Sequence, residues 1–146
     1  VALDAAAVRH NHRLVPLVAA PSWGRLDARR HWAAQRRDRG SAVFVAAAGR
    51  RPVGMLGVDV RKARNRRMPI RCWAYLHSLY VEPCARGHRV ARRLIRQALA
   101  WARRQGAGGV TLEMAAGNEA ARALYARFGF VVQEVMMARR LRQSAR

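Results

Sequence analysis

Two stretches of this chain combine residue types and spacing that could do chemistry. The first is Glu82-Pro83-Cys84-Ala85-Arg86-Gly87-His88-Arg89-Val90-Ala91, where an apolar run stops at Pro83 and turns through Gly87 into a long helical pattern. A helix start presents backbone N–H groups with no intrahelical acceptor, at the positive end of the helix dipole. The turn is therefore suited to a phosphate. The second is Leu76-His77-Ser78-Leu79-Tyr80-Val81. An imidazole with an ordinary pKa of ~6.5 accepts a proton at neutral pH, which makes His77 a candidate base; the competing reading is a core histidine with its hydrogen bonds satisfied. His10, His12, His31 and His88 show no ligand spacing with one another, so no metal is expected.

These groups need a scaffold, and the pattern around them supplies one. Residues 71–81 read as a strand whose alternation sets Tyr75, His77 and Leu79 on one face and Leu76, Ser78 and Tyr80 on the other. The helix after the turn runs to about Gln105, with Ala91, Leu94, Ile95, Ala98 and Ala102 toward a sheet and Gly106 as its stop. Residues 109–114 read as a short strand. A second helix opens at Asn118 as N-cap, carries Glu119 in its first turn and ends before Gly129, with Ala121, Leu124, Tyr125 and Phe128 on one face. Upstream, residues 42–48 and 53–60 are expected strands about the turn Gly49-Arg50-Arg51-Pro52. Residues 3–20 and 26–39 are expected helices, and residues 131–141 an expected closing strand, bent near Gln133-Glu134.

Read together, the two halves of residues 76–130 resemble the Gcn5-related N-acetyltransferase (GNAT) family. Its signature is Arg/Gln-x-x-Gly-x-Gly/Ala after a Val-x-Pro strand end, then Asn-x-x-Ala-x-x-Leu-Tyr-x-x-x-Gly-Phe. Arg86, Gly87 and Ala91 match the first part; Asn118, Ala121, Leu124, Tyr125, Gly129 and Phe130 match the second. One position departs: the family's central glycine is Arg89. An arginine there must swing outward or loosen the backbone's approach to a pyrophosphate, and it could also bring a cation to the phosphates.

The resemblance implies an α/β (α+β) GNAT fold: a central mixed, mostly antiparallel sheet flanked by about four helices, with a splayed strand pair holding the cofactor. It implies acetyl-CoA as co-substrate, with its pantetheine arm along Leu79, Tyr80 and Val81. The pyrophosphate would lie on Arg86, Gly87, His88, Arg89, Val90 and Ala91, with Asn118 and Tyr125 contributing. It implies Tyr125 as proton donor to the CoA sulfur. Leu76-His77-Ser78-Leu79-Tyr80-Val81 is similar to the Leu-His-x-Leu-x-Val of the family's arylalkylamine acetyltransferases, where a histidine sits beside the acceptor amine. The family usually begins with a strand, for which only Val1 to Leu3 remain, so that strand is missing or vestigial. The expected activity is acetyl transfer to a primary amine: a small amine, an amino-acid derivative or a peptide N-terminus. The alternative is a catalytically weak module of the same fold that binds a polyanion or a protein partner.

Size and charge bound these readings. At 146 residues and 51% hydrophobic the chain is expected to form one domain over residues 1–146. It contains no apolar run of the ~18–20 residues a membrane span needs. With two cysteines, Cys72 and Cys84, it suggests no disulfide framework. A cytoplasmic protein, as monomer or homodimer, is expected. The 29 Lys+Arg against 8 Asp+Glu give a formal net charge of +21, and Lys62 is the only lysine. Such a surface attracts polyanions and repels polycations. Its densest patch, residues 61–67, lacks the interleaved aromatics of single-strand binders. Nucleic acid is therefore the less favoured partner.

Overall fold

The computed structural model describes residues 38–63 and 69–139, together with Leu3, Ala33 and Ala34. The three isolated residues are helical; the rest of the expected helices over 3–20 and 26–39 lies outside the described residues, as do positions 64–68 of the basic loop.

Four strands form one sheet in the order β1-β2-β3-β4: β1 Ser41–Ala48, β2 Arg51–Lys62, β3 Cys72–Val81 and β4 Gly109–Leu112. The first two pairings are antiparallel and β3–β4 is parallel, as the fold resemblance requires. The link from β3 to β4 passes through a 3₁₀ turn, Pro83–Ala85, and helix α1, Val90–Arg104; helix α2, Glu119–Ala126, follows β4. Strand β2 is buried without a break from Val53 to Val58, as an internal strand covered on both faces must be. It ends at Lys62, exposed and paired with Cys72.

The core lies between the sheet and α1. Leu94, Ile95, Ala98 and Ala102 recur at helical spacing and are buried against Leu56, Val58, Ala74 and Leu76. A methyl placed on Gly54 would touch Val90 and Leu94, which fixes this face of β2 as the even-numbered one. Gly57 and Gly109 serve the opposite face. An added Cβ would run into the His77 imidazole at Gly57 and into the Trp73 ring at Gly109. Gly57→Ala must therefore displace a ring in a packed site. It is expected to destabilise the protein by about 1–3 kcal/mol in a denaturant titration.

Three expectations are corrected. Strand β3 does not alternate to its end, because Gly57 pairs with His77 and Met55 with Tyr80, leaving Ser78 and Leu79 opposite Leu56. This is a β-bulge, and its first residue, Ser78, has φ 56°. The extra residue moves Leu79 off the His77 face, and both Leu79 and Val81 pack on the core cluster. Strand β4 stops at Leu112, short of Met114. Residues 131–139 form no strand. Val131, Val132, Val135, Met136 and Met137 stand 62–92% exposed, because an apolar stretch becomes a strand only where a ladder takes its N–H and C=O groups.

Candidate active site

The β3–β4 ladder runs from Trp73–Gly109 to Leu76–Leu112 and then ends, while β3 continues five residues to Val81. Beyond Leu76 no β4 residue pairs with β3, because β4 itself ends at Leu112. Past Val81 the chain folds tightly: Ala85 N–H donates to Glu82 O at 2.9 Å, Arg86 N–H to Pro83 O at 3.2 Å, and the Arg86 side chain donates through Nε to Val81 O at 3.1 Å. Gly87 then takes φ +80° and Arg89 φ 60°, ψ 16°.

Arg89 is the N-cap of α1 and gives it no side-chain cap. The first helical bond among the described residues is from Arg93 N–H to Arg89 O at 3.1 Å. The backbone N–H groups of residues 87–92 have no backbone acceptor among the described residues. They gather beside a cavity of about 390 Å³ lined by Val81, Arg86, Gly87, Arg89, Val90 and Ala91, with Ala85, Arg92 and Leu124. Three guanidinium groups therefore rim the helix start.

Arg89 thus keeps the left-handed backbone in which a glycine rests without strain. For an L-residue that conformation costs about 1–2 kcal/mol. Glycine would recover this but loses roughly 0.4–1 kcal/mol to the freer unfolded chain. Arg89→Gly is expected to raise stability modestly, by about 0.5–1 kcal/mol, read as a higher melting temperature.

Helix α2 begins as expected, with Asn118 Oδ1 accepting from Ala121 N–H at 3.1 Å. It ends in a Schellman motif: Phe130 N–H donates to Tyr125 O at 3.3 Å and Gly129 N–H to Ala126 O at 3.0 Å, with Gly129 at φ +83°. The hydrophobic contact that accompanies this motif is the Phe130 ring set edge-on to Tyr125, centroids 5.6 Å apart. Gly129-Phe130 is therefore the clamp that holds Tyr125 in place. The tyrosine is only 9% exposed. Burial pushes its phenol up to about 12, and the hydroxyl has no hydrogen-bond partner among the described residues.

His77 lies elsewhere. Its neighbour Leu76 joins the Tyr125 cluster, but the imidazole faces away from α1, over Gly57. Nε2 is 3.6 Å from Asp59 Oδ1, with both side chains at 15% exposure or less, and Nδ1 is 3.2 Å from Ser78 Oγ. The second Asp59 oxygen is 3.4 Å from Arg61. Tyr75 stacks nearly parallel to the imidazole, centroids 6.1 Å apart. Its phenol is raised chiefly by burial and further by Glu113 and Asp59.

The structure thus gathers Val81, Arg86, Gly87, Arg89, Val90 and Ala91 around one cavity and brings α2 to it through Leu124. Leu79, Tyr80, Asn118 and Tyr125 do not line that cavity, and His88 lines a separate one between β1 and α1. His77 and Tyr125 have no contact with each other. Arg92, Leu124 and Asp59 were not anticipated. A carboxylate inside an otherwise apolar strand signals a paired charge, and Asp59 could have been found on that ground.

The description "Acetyltransferase (GNAT) family" matches residues 8–130. No curated protein matches the sequence. Among solved structures, a variant of the BH1408 protein from Bacillus halodurans superposes with TM-score 0.81 at 17% identity, covering 96% of this chain and 90% of that one. The aminoglycoside 6'-N-acetyltransferase AAC(6')-Ig from Acinetobacter haemolyticus gives TM-score 0.69 at 19% identity, covering 95% and 94%. AAC(6')-Iy, in complex with a bisubstrate analogue, CoA-S-monomethyl-acetylneamine, gives 0.71 at 18%, covering 97% and 92%. At these identities the neighbours speak to the fold alone, but the family match spans most of the sequence, and the chain belongs to the GNAT acetyltransferase family.

Proposed function

We propose that this chain is an N-acetyltransferase that moves the acetyl group of acetyl-CoA directly onto a primary amine. The observation that carries the reading is the cavity where N–H groups with no backbone acceptor among the described residues and three arginines converge at the start of α1, beside Leu124 of α2. Amide donors, a positive dipole end and guanidinium groups are the donor set a pyrophosphate fits. The buried phenol of Tyr125, with no hydrogen-bond partner among the described residues, is a second polar group suited to a ligand.

When bound, acetyl-CoA supplies an activated acyl carbon and a thiolate leaving group. The backbone of Leu79, Tyr80 and Val81, past the end of the β3–β4 ladder, would pair with the pantetheine arm. One N–H there would polarise the acyl carbonyl. Tyr125, kept protonated by burial, would donate to the sulfur, and His77 would accept the proton of the amine. Asn118 caps α2 under this reading or any other.

Aminoglycoside acetyltransferases among the neighbours support a small-molecule acceptor. The Arg89 departure, which favoured a module without turnover, is absorbed by the backbone and no longer argues for it. The test is thermal. A ligand that binds only the native state adds RT ln(1 + [L]/Kd), about 2.7 kcal/mol at a hundredfold excess over Kd. Millimolar acetyl-CoA should raise the melting temperature by several degrees. No shift, together with salt-sensitive binding of nucleic acid, would replace this reading with the polyanion-binding one.

A further inference from the structure

We propose that Ser78, His77 and Asp59 form a proton relay in which the Ser78 hydroxyl, and not the imidazole itself, takes the proton from the acceptor amine. The inference rests on the acetyl-transfer reading and changes which atom meets the substrate.

Three observations converge. Both nitrogens of His77 face polar partners: Nε2 lies 3.6 Å from the Asp59 carboxylate, an ion-pair separation longer than a hydrogen bond, and Nδ1 lies 3.2 Å from Ser78 Oγ. With the proton on Nε2, toward a carboxylate that can only accept, the Nδ1 lone pair would face a hydroxyl that can donate to it. The imidazole is also held from every described side: Gly57 leaves no room beneath it, Tyr75 stacks along it, and Arg61 fixes the other Asp59 oxygen. A ring held in this way passes protons without turning.

The third observation is where the hydroxyl stands. Ser78 is the bulged residue, at φ 56°, in the second position past the last β3–β4 pair. Val81, which rims the phosphate cavity, is three residues further along the same strand, about 10 Å at the strand rise. A residue other than glycine held in the left-handed region persists only where the surroundings over-determine it, and such residues cluster at working sites. The bulge turns one hydroxyl toward His77 just past the end of the β3–β4 ladder.

The step balances. As the amine nitrogen bonds to the acyl carbon, its proton passes to Ser78 Oγ while the Ser78 proton passes to His77 Nδ1. The carbon–sulfur bond breaks, and the sulfur takes the Tyr125 proton. The imidazolium, stabilised by Asp59, then releases its proton to water and the phenolate regains one. Ser78 is the catalytic residue; His77 and Asp59 are positioning residues that act through it.

Ser78→Gly is the decisive variant, because glycine favours φ 56° and the fold survives while the hydroxyl is lost. With acetyl-CoA and an amine panel, kcat should fall ~10–100-fold with KM for acetyl-CoA unchanged and the melting temperature equal or higher. Asp59→Asn should lose a similar factor. The double variant should be no worse than the poorer single one, because residues acting as a unit are not additive. Undiminished kcat in Ser78→Gly, or factors that multiply in the double variant, would overturn the relay. A wild-type protein inactive toward every amine would instead sink the acetyl-transfer reading. The relay is still decided in that case by ¹⁵N NMR of the His77 ring: a proton on Nε2 whose Nδ1 signal moves in Ser78→Gly supports it, and a proton on Nδ1 refutes it.

Discussion

Tyr125→Phe is expected to lower kcat by ~10²–10⁴-fold, the usual contribution of a positioned acid or base, with the affinity for acetyl-CoA nearly unchanged. The hydroxyl meets the sulfur only as charge develops there, so its loss falls on turnover and not on ground-state binding. The structure adds a discriminating control. A buried hydroxyl with no partner among the described residues contributes no hydrogen bond to folding, so its removal should leave the melting temperature unchanged or raise it. An activity loss without a stability loss identifies a chemical role; unchanged kcat across pH would identify core packing. The phenol also predicts a pH window. Burial raises its pKa to about 12 from the ordinary 10.0 of a tyrosine, so the folded state favours the neutral form. The associated stability is fully present below pH 10 and is lost as pH rises from 10 toward 12. Tyrosinate absorbance from this residue should therefore lag the exposed tyrosines and appear with alkaline unfolding, and Tyr125→Phe should remove that component.

The preferred acceptor is expected to be an amine of low charge, or one offset by its own carboxylate: an amino-acid derivative, an arylalkylamine or a peptide N-terminus. Aminoglycosides and polyamines should be poor, although aminoglycoside enzymes share this fold. Against a net charge of +21 there are eight carboxylates, and three of the six described have neighbouring partners. Asp38 accepts from Gly40 N–H and Ser41 Oγ, Asp59 serves His77 and Arg61, and Glu119 lies 3.9 Å from Arg122. Eight carboxylates against 29 Lys+Arg leave few to line an acidic trough. Surface fields change encounter rates by 10–10³, and a tri- or tetracation would carry that penalty here. Screening relieves it over a Debye length of ~8 Å at physiological salt. In a kcat/KM panel at low and physiological salt, polycations should lag most at low salt. If a spermidine-like or kanamycin-like amine wins there, a local pocket has overridden the global charge.

The elements were legible where apolar period and turn residues agree. Leu94, Ile95, Ala98 and Ala102 announce the buried stripe of α1, and Gly106 and Gly129 announce the two helix ends. The Arg86–Ala91 turn was legible because free N–H groups at a helix start follow from backbone geometry alone. Ser78 was not, since a bulge inserts a residue into a ladder whose register depends on a distant strand, and no local period records it. The Asp59–His77 pair was hidden for the same reason: residues 18 apart in sequence meet only once β2 and β3 are in register. Residues 131–139, the described part of the expected closing strand, failed in the other direction, because Val131, Val132 and Val135 have strand composition and the described segment has no ladder to join.

The lone lysine has a chemical consequence. Lys62 stands exposed at the end of β2, and every other member of the 29 Lys+Arg is an arginine. Guanidinium stays protonated at any working pH and is a poor target for thioesters, whereas a lysine amine can be capped and neutralised. A basic surface built from lysines would erode as the acyl donor it attracts modified it. Built from arginines, the positive field is inert to that donor, and among the side-chain amines self-acylation has one place to occur, Lys62.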